Sequence, residues 1–100
     1  MTFVQIIEYE TTRADELEAV FDEWMKATEG KRTVLHEMHG QDRENPTHFV
    51  DIVEFPSYEK AMENSRLPET QKIADQARAL CTGEPRFLNL DVQREQIKQR

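Results

Sequence analysis

Three histidines, a single cysteine and a scatter of carboxylates and tyrosines hold whatever chemistry this chain of 100 residues performs. His36, His39 and His48 bracket a polar stretch, and Asp51 follows three residues after the last of them. An imidazole beside a carboxylate makes a general base with its orienter, because the carboxylate fixes the ring and favours its protonated form. His39 and His48, if they face each other, raise the thought of a metal. Two imidazoles lacking a placed third ligand are better read as a solvated pair at a sheet end, so no metal is expected. Cys81 falls on the apolar side of a helical pattern, where a buried and inert thiol is the natural reading.

The elements that must position these groups follow from periodicity. A strand is expected over about Thr2 to Glu10. A helix opens at Thr12, with Asp15 completing a capping box, and carries Leu17, Val20, Phe21, Trp24 and Met25 at helical spacing. Gly30 can take the left-handed conformation that closes it. Strands are expected over about Arg32 to His39 and Thr47 to Phe55, with Gly40 to Pro46 as the polar turn between them. Ser57 caps a second helix that breaks near Asn64-Ser65 and restarts at Pro68, with Ile73, Ala74, Ala77 and Leu80 on its inner side. A last strand runs from about Arg86 to Val92. A β-α-β-β-α-β order with right-handed crossovers gives an α+β, ferredoxin-like antiparallel sheet, strands 1 and 3 central, both helices on one face. Residues 1–92 are expected to form one domain, and 93–100 a polar tail.

Alternation then assigns side chains to faces. Val4, Ile6, Leu35, Val50, Ile52, Leu88, Leu90 and Val92 are the almost wholly apolar set, expected under the helices. The other face carries Phe3, Gln5, Ile7, Tyr9, Val34, His36, Met38, Phe49, Asp51, Val53, Phe55, Phe87, Asn89 and Asp91. It is too apolar to stand in water alone, so a second copy of the chain is expected to cover it. It also holds convergent polar groups, the signature of a ligand cavity. If the hairpin pairs symmetrically about Arg43-Glu44, His36 lies opposite Asp51 with Cβ atoms roughly 5 Å apart. A one-residue slip would drive Asp51 beneath the helices.

Composition narrows the partners. The chain carries a net charge of -7, and no stripe of Lys or Arg offers a footprint for nucleic acid or an anionic membrane. No apolar run spans a bilayer, no leader is expected before the first strand, and one cysteine fits a reducing cytoplasm.

The segment Phe55-Pro56-Ser57-Tyr58-Glu59-Lys60-Ala61-Met62-Glu63-Asn64-Ser65, followed by Pro68, resembles the dimeric α/β-barrel superfamily of the antibiotic-biosynthesis-monooxygenase type. With the strand order, the resemblance covers residues 1 to about 92. It implies two sheets packed face to face as a homodimer and a pocket between sheet and helices or inside the barrel. It also implies activities ranging from cofactor-free oxygenation of polycyclic phenols to haem degradation. Haem-degrading relatives use a strand-1 Asn and a helix His, where this chain has Gln5 and no helix-2 histidine. Trp24 sits at a core position, so no substrate role is transferred to it.

The expected function is small-molecule binding by a homodimer. It is an enzyme if His36 and Asp51 act as an acid–base pair on a phenolic or enolic ligand, without a cofactor, and with Gln5, Tyr9, Met38, Phe49 and Asn89 around it. The alternatives are a non-catalytic binder or accessory protein using the same cavity, and a purely structural dimer module in which the polar pair satisfies itself.

Overall fold

The structure, a computed structural model, describes residues 2–98. Its elements are β1 (Phe3–Glu10), α1 (Ala14–Ala27), β2 (His36–Gln41), β3 (His48–Phe55), α2 (Tyr58–Arg66), α3 (Pro68–Ala79) and β4 (Arg86–Asp91). The strands form one antiparallel sheet in the order β2-β3-β1-β4, so β1 and β3 are central as expected. This is the ferredoxin-like α+β arrangement.

Several local signals act as the sequence indicates. The Ser57 hydroxyl accepts the Lys60 N–H at 3.1 Å and caps α2. The second helix divides at Leu67, two residues later than the expected Asn64-Ser65, and Pro68 opens α3 as expected, where its missing N–H costs nothing. Gly30 has φ +79°, the left-handed conformation a side chain resists. The start of α1 differs from expectation. Arg13, not Thr12, is the capping position and contributes no side-chain bond. Thr11 organises that corner instead: its hydroxyl accepts the Arg13 N–H at 2.9 Å and donates to the Leu80 carbonyl at 2.7 Å, tying helix entry to the end of α3.

The face assignment is reversed. Phe3, Tyr9, Phe49, Asp51, Val53 and Phe55 are the buried strand residues. They pack against Ala61 of α2, Leu17 of α1 and Ala77 of α3, so this set lies beneath the helices. The uncovered face carries Val4, Ile6, Met38, Val50, Ile52, Leu88 and Leu90, with Met38, Leu88 and Leu90 each more than 40% exposed. Leu35, expected beneath the helices, is exposed at the entry to β2, and Val92 is half-buried just past β4. Both faces are apolar, so alternation separates the two sets without saying which set the helices cover.

The β2–β3 register also differs. His36 is opposite Glu54, Met38 opposite Ile52, and His39 opposite Asp51. Leu35 and His36 both fall against Glu54, since the Leu35 N–H donates to the Glu54 carbonyl at 2.8 Å while His36 is its ladder partner. Two residues against one breaks the alternation carried over from Val34. The turn is also centred later, near Asn45. Asp42 and Asn45 side chains accept the N–H groups of Glu44 and Thr47, and the Asp42 N–H closes on the His48 carbonyl.

Beyond Asp91 the described tail has no regular structure, and Ile97 is exposed; residues 99 and 100 of the expected tail lie outside the described residues. No helix among the described residues is long and apolar enough to cross a membrane.

Candidate functional site

Asp51 is the centre of the polar chemistry. It sits mid-strand in β3 on the helix-covered face and is 2% exposed. Its neighbours across the ladders are Ile7 of β1 and His39 of β2. His39 Nδ1 lies 2.6 Å from Asp51 Oδ1. The Tyr9 hydroxyl lies 3.2 Å from both carboxylate oxygens and also 3.2 Å from His39 Nδ1. Tyr9 has one proton to give, and the carboxylate is the stronger acceptor. The consistent pattern is Nδ1–H and O–H both donating to Asp51, which leaves His39 Nε2 directed outward, 3.3 Å from Glu18. Phe49 fixes the cluster from below: its ring stacks on Tyr9 at 5.9 Å and on His39 at 5.3 Å.

Burial sets the acid–base properties. Desolvation pushes the Asp51 carboxyl above the ordinary carboxylate range, outweighing the bonds from His39 and Tyr9 that favour its charged form. The Tyr9 phenol is pushed far up, first by burial and then by the Asp51 charge. Asp51 is thus a more basic carboxylate than usual, and Tyr9 stays a hydrogen-bond donor at any physiological pH.

Asp51 and Tyr9 open onto a cavity of about 80 Å³ between the sheet, α1 and α3. Ile7, Leu17, Phe21, Ala74, Ala77, Cys81, Pro85 and Phe87 make most of its wall, and Arg78 is its one basic lining residue. The exposed members, Ala74, Arg78 and Phe87, mark the side facing solvent. The volume is several times the roughly 10–15 Å³ that holds one buried water, and well below the roughly 300 Å³ at which pockets for drug-sized ligands begin. The enclosed space is on the scale of a single ring, and a fused polycyclic ligand exceeds it.

The sequence-derived site residues divide accordingly. Asp51, Tyr9 and Phe49 come together, but around His39. His36 is exposed on the opposite face beside Glu54, so the expected His36–Asp51 pair does not form. Met38 also lies on the uncovered face, away from Asp51. Gln5 and Asn89 bond each other at 3.1 Å on the helix-side face, two residues along from Ile7 and Phe87, and do not line the cavity. His39 and His48 sit on opposite faces of the sheet and cannot share an ion; His48 instead bridges Asp42 and Glu8, at 2.8 Å each. Cys81 is half-buried at the cavity wall rather than in the core. Its Sγ–H donates to the Ala77 carbonyl, and burial, then Asp51, push its thiol up. Trp24 is a core residue as its spacing indicates, its indole N–H donating to Thr70 at 3.0 Å. The pairing of His39 with Asp51, and the place of Arg78, escaped sequence reasoning. The signal for His39 was the Asp42/Asn45 turn chemistry, which shifts the hairpin by three residues.

No family model matches the sequence, and no curated protein matches it either. Solved structures do match in shape. SnoaB from Streptomyces nogalater, described as a cofactor-independent oxygenase, superposes with a TM-score of 0.80 at 14% identity, covering 94% of this chain and 95% of that one. A structure described as an antibiotic biosynthesis monooxygenase gives 0.73 at 18% identity, covering 92% and 98%. A conserved protein from Methanosarcina mazei gives 0.80 at 11% identity, covering 90% and 91%. At such identities the likeness is one of fold. The chain shares the ferredoxin-like fold of these structures.

Proposed function

We propose that this chain binds a small phenolic or enolic compound between its sheet and helices and, without a cofactor, removes its proton through Asp51. The observation that carries the reading is a carboxylate 2% exposed, made more basic by burial, facing a largely apolar cavity. In this reading the ligand O–H gives its proton to Asp51. Once Asp51 holds the proton, Tyr9 turns its O–H from that carboxyl to the ligand oxygen, and His39 keeps the carboxyl in place. The electron-rich anion left behind is what dioxygen attacks, an aromatic C–H becoming a quinone C=O with release of water. The shape shared with SnoaB supports this chemistry by analogy.

The working unit is a homodimer in the same reading. The face bearing Val4, Ile6, Met38, Val50, Ile52, Leu88 and Leu90 is more apolar and continuous than a monomer keeps in water, and a second sheet of the same kind covers it.

One observation favours a non-catalytic binder as the second reading. Among the described residues every buried side-chain polar atom already has a partner, so the Tyr9–Asp51–His39 cluster satisfies itself without a ligand. Oxygen uptake and thermal shift with a panel of single-ring phenols and hydroquinones separate the two. The enzyme reading predicts uptake that falls about 10²- to 10⁴-fold in Asp51→Asn. Thermal stabilisation without any uptake leaves the binder.

A further inference from the structure

The cavity has two chemically different ends. Asp51 and Tyr9 occupy one, and Arg78 is the single cation among the remaining, largely apolar lining. Arg78 is only loosely engaged. Its nearest carboxylates, Asp75 at 3.6 Å and Glu84 at 3.5 Å, are 79% and 83% exposed, and pairs of that kind contribute little. A guanidinium held this way is free to turn its fork of donors to a carboxylate that reaches the mouth, in the bidentate geometry Arg favours. The rest of the molecule argues against casual anion binding, since the net charge of -7 repels anions at long range. Any preference for an acid therefore has to come from the mouth itself. The inner end imposes the opposite demand. With Asp51 there, the ligand must present a hydrogen-bond donor and not a second negative charge, which would sit unpaired beside a buried carboxylate.

We infer that the ligand is a single-ring hydroxy acid, its carboxylate held by Arg78 at the mouth and its hydroxyl directed to Asp51 and Tyr9. This rests on the cavity being the binding site and adds which compounds enter it. Arg78 is the residue that distinguishes acids from neutral analogues, and the volume limits the ring count to one.

The test is direct binding, by calorimetry or NMR titration, of the three hydroxybenzoate isomers and the corresponding neutral hydroxybenzyl alcohols. The full chain is compared with Arg78→Gln, a change at a half-exposed side chain that leaves the core intact. One hydroxybenzoate isomer should bind about tenfold more tightly than its neutral counterpart, as one charge-assisted contact provides. In Arg78→Gln that ratio should fall towards one through loss of acid binding alone. Neutral compounds binding as well as acids, or a ratio unchanged by Arg78→Gln, would overturn the hydroxy-acid assignment while leaving the cavity as a binding site. Binding of neither class would overturn both.

Discussion

His39 and Asp51 are the facing imidazole and carboxylate of the β2–β3 hairpin, with Nδ1 and Oδ1 2.6 Å apart across the ladder. The contact lies on the helix-covered face, where Asp51 is buried, so replacing the carboxylate is felt first by that ring. Asp51→Asn should move the imidazole nitrogen resonances of His39 and leave those of His36, opposite Glu54 on the other face, where they were. A shift at His36 with none at His39 would restore the symmetric register.

The two sheet faces make opposite predictions for the same type of substitution. Ile52→Asp places a charge in the middle of the uncovered face. It should convert a dimer of about twice 11.8 kDa into a folded monomer, read by light scattering after size exclusion. Phe49→Asp, beneath Tyr9 and His39, should unfold the chain, because an unpaired buried charge costs on the order of 3–5 kcal/mol, much of the stability of a small domain. A wild-type chain that stays monomeric at micromolar concentration contradicts the sheet-to-sheet dimer.

How much of this was legible is clearest at particular residues. The Ser57 cap, the left-handed Gly30 and the break before Pro68 each rest on short-range physics that one stretch of sequence carries, and the strand order follows from the element order with right-handed crossovers. Which face the helices cover is a tertiary choice. Val4, Ile6, Val50 and Ile52 look more like core than Gln5, Asp51 or Asn89, yet Asp51 lies beneath the helices because Tyr9 and His39 satisfy it there. The hairpin register failed for a local reason: Leu35 and His36 share one partner, and Asp42 and Asn45 move the turn towards β3.

His48 gives the chain a pH dependence of defined sign. Its bonds to Asp42 and then Glu8 raise its pKa in the folded state. The protonated ring is the form that folding favours, so this contribution is fully present below the unfolded histidine value near 6.5. It is lost as pH rises through the higher folded value. Thermal denaturation of wild type and His48→Gln across pH 5.5 to 9 should show the wild-type advantage shrinking on the alkaline side. A constant difference contradicts the pairing. At the acid end Asp42, whose pKa is lowered by the same contact, adds a loss as pH falls through its folded value.

Cys81 should label slowly with a thiol reagent at neutral pH, because burial and then Asp51 disfavour its thiolate. Asp51→Asn removes the charge contribution and should speed labelling in the folded protein. Cys81 also lines the cavity, so a bound ligand should protect it. Labelling as fast as in denaturant would mean that the end of α3 does not shelter the thiol.

The most direct test of the cavity as a ligand site is an NMR titration of the labelled chain with a hydroxybenzoate, following each residue. Saturable shifts should cluster at Ile7, Ala77, Cys81 and Phe87 and weaken strongly in Asp51→Asn. Shifts confined to Val4, Ile52 and Leu90 on the uncovered face, or none that saturate, would contradict the cavity as that site.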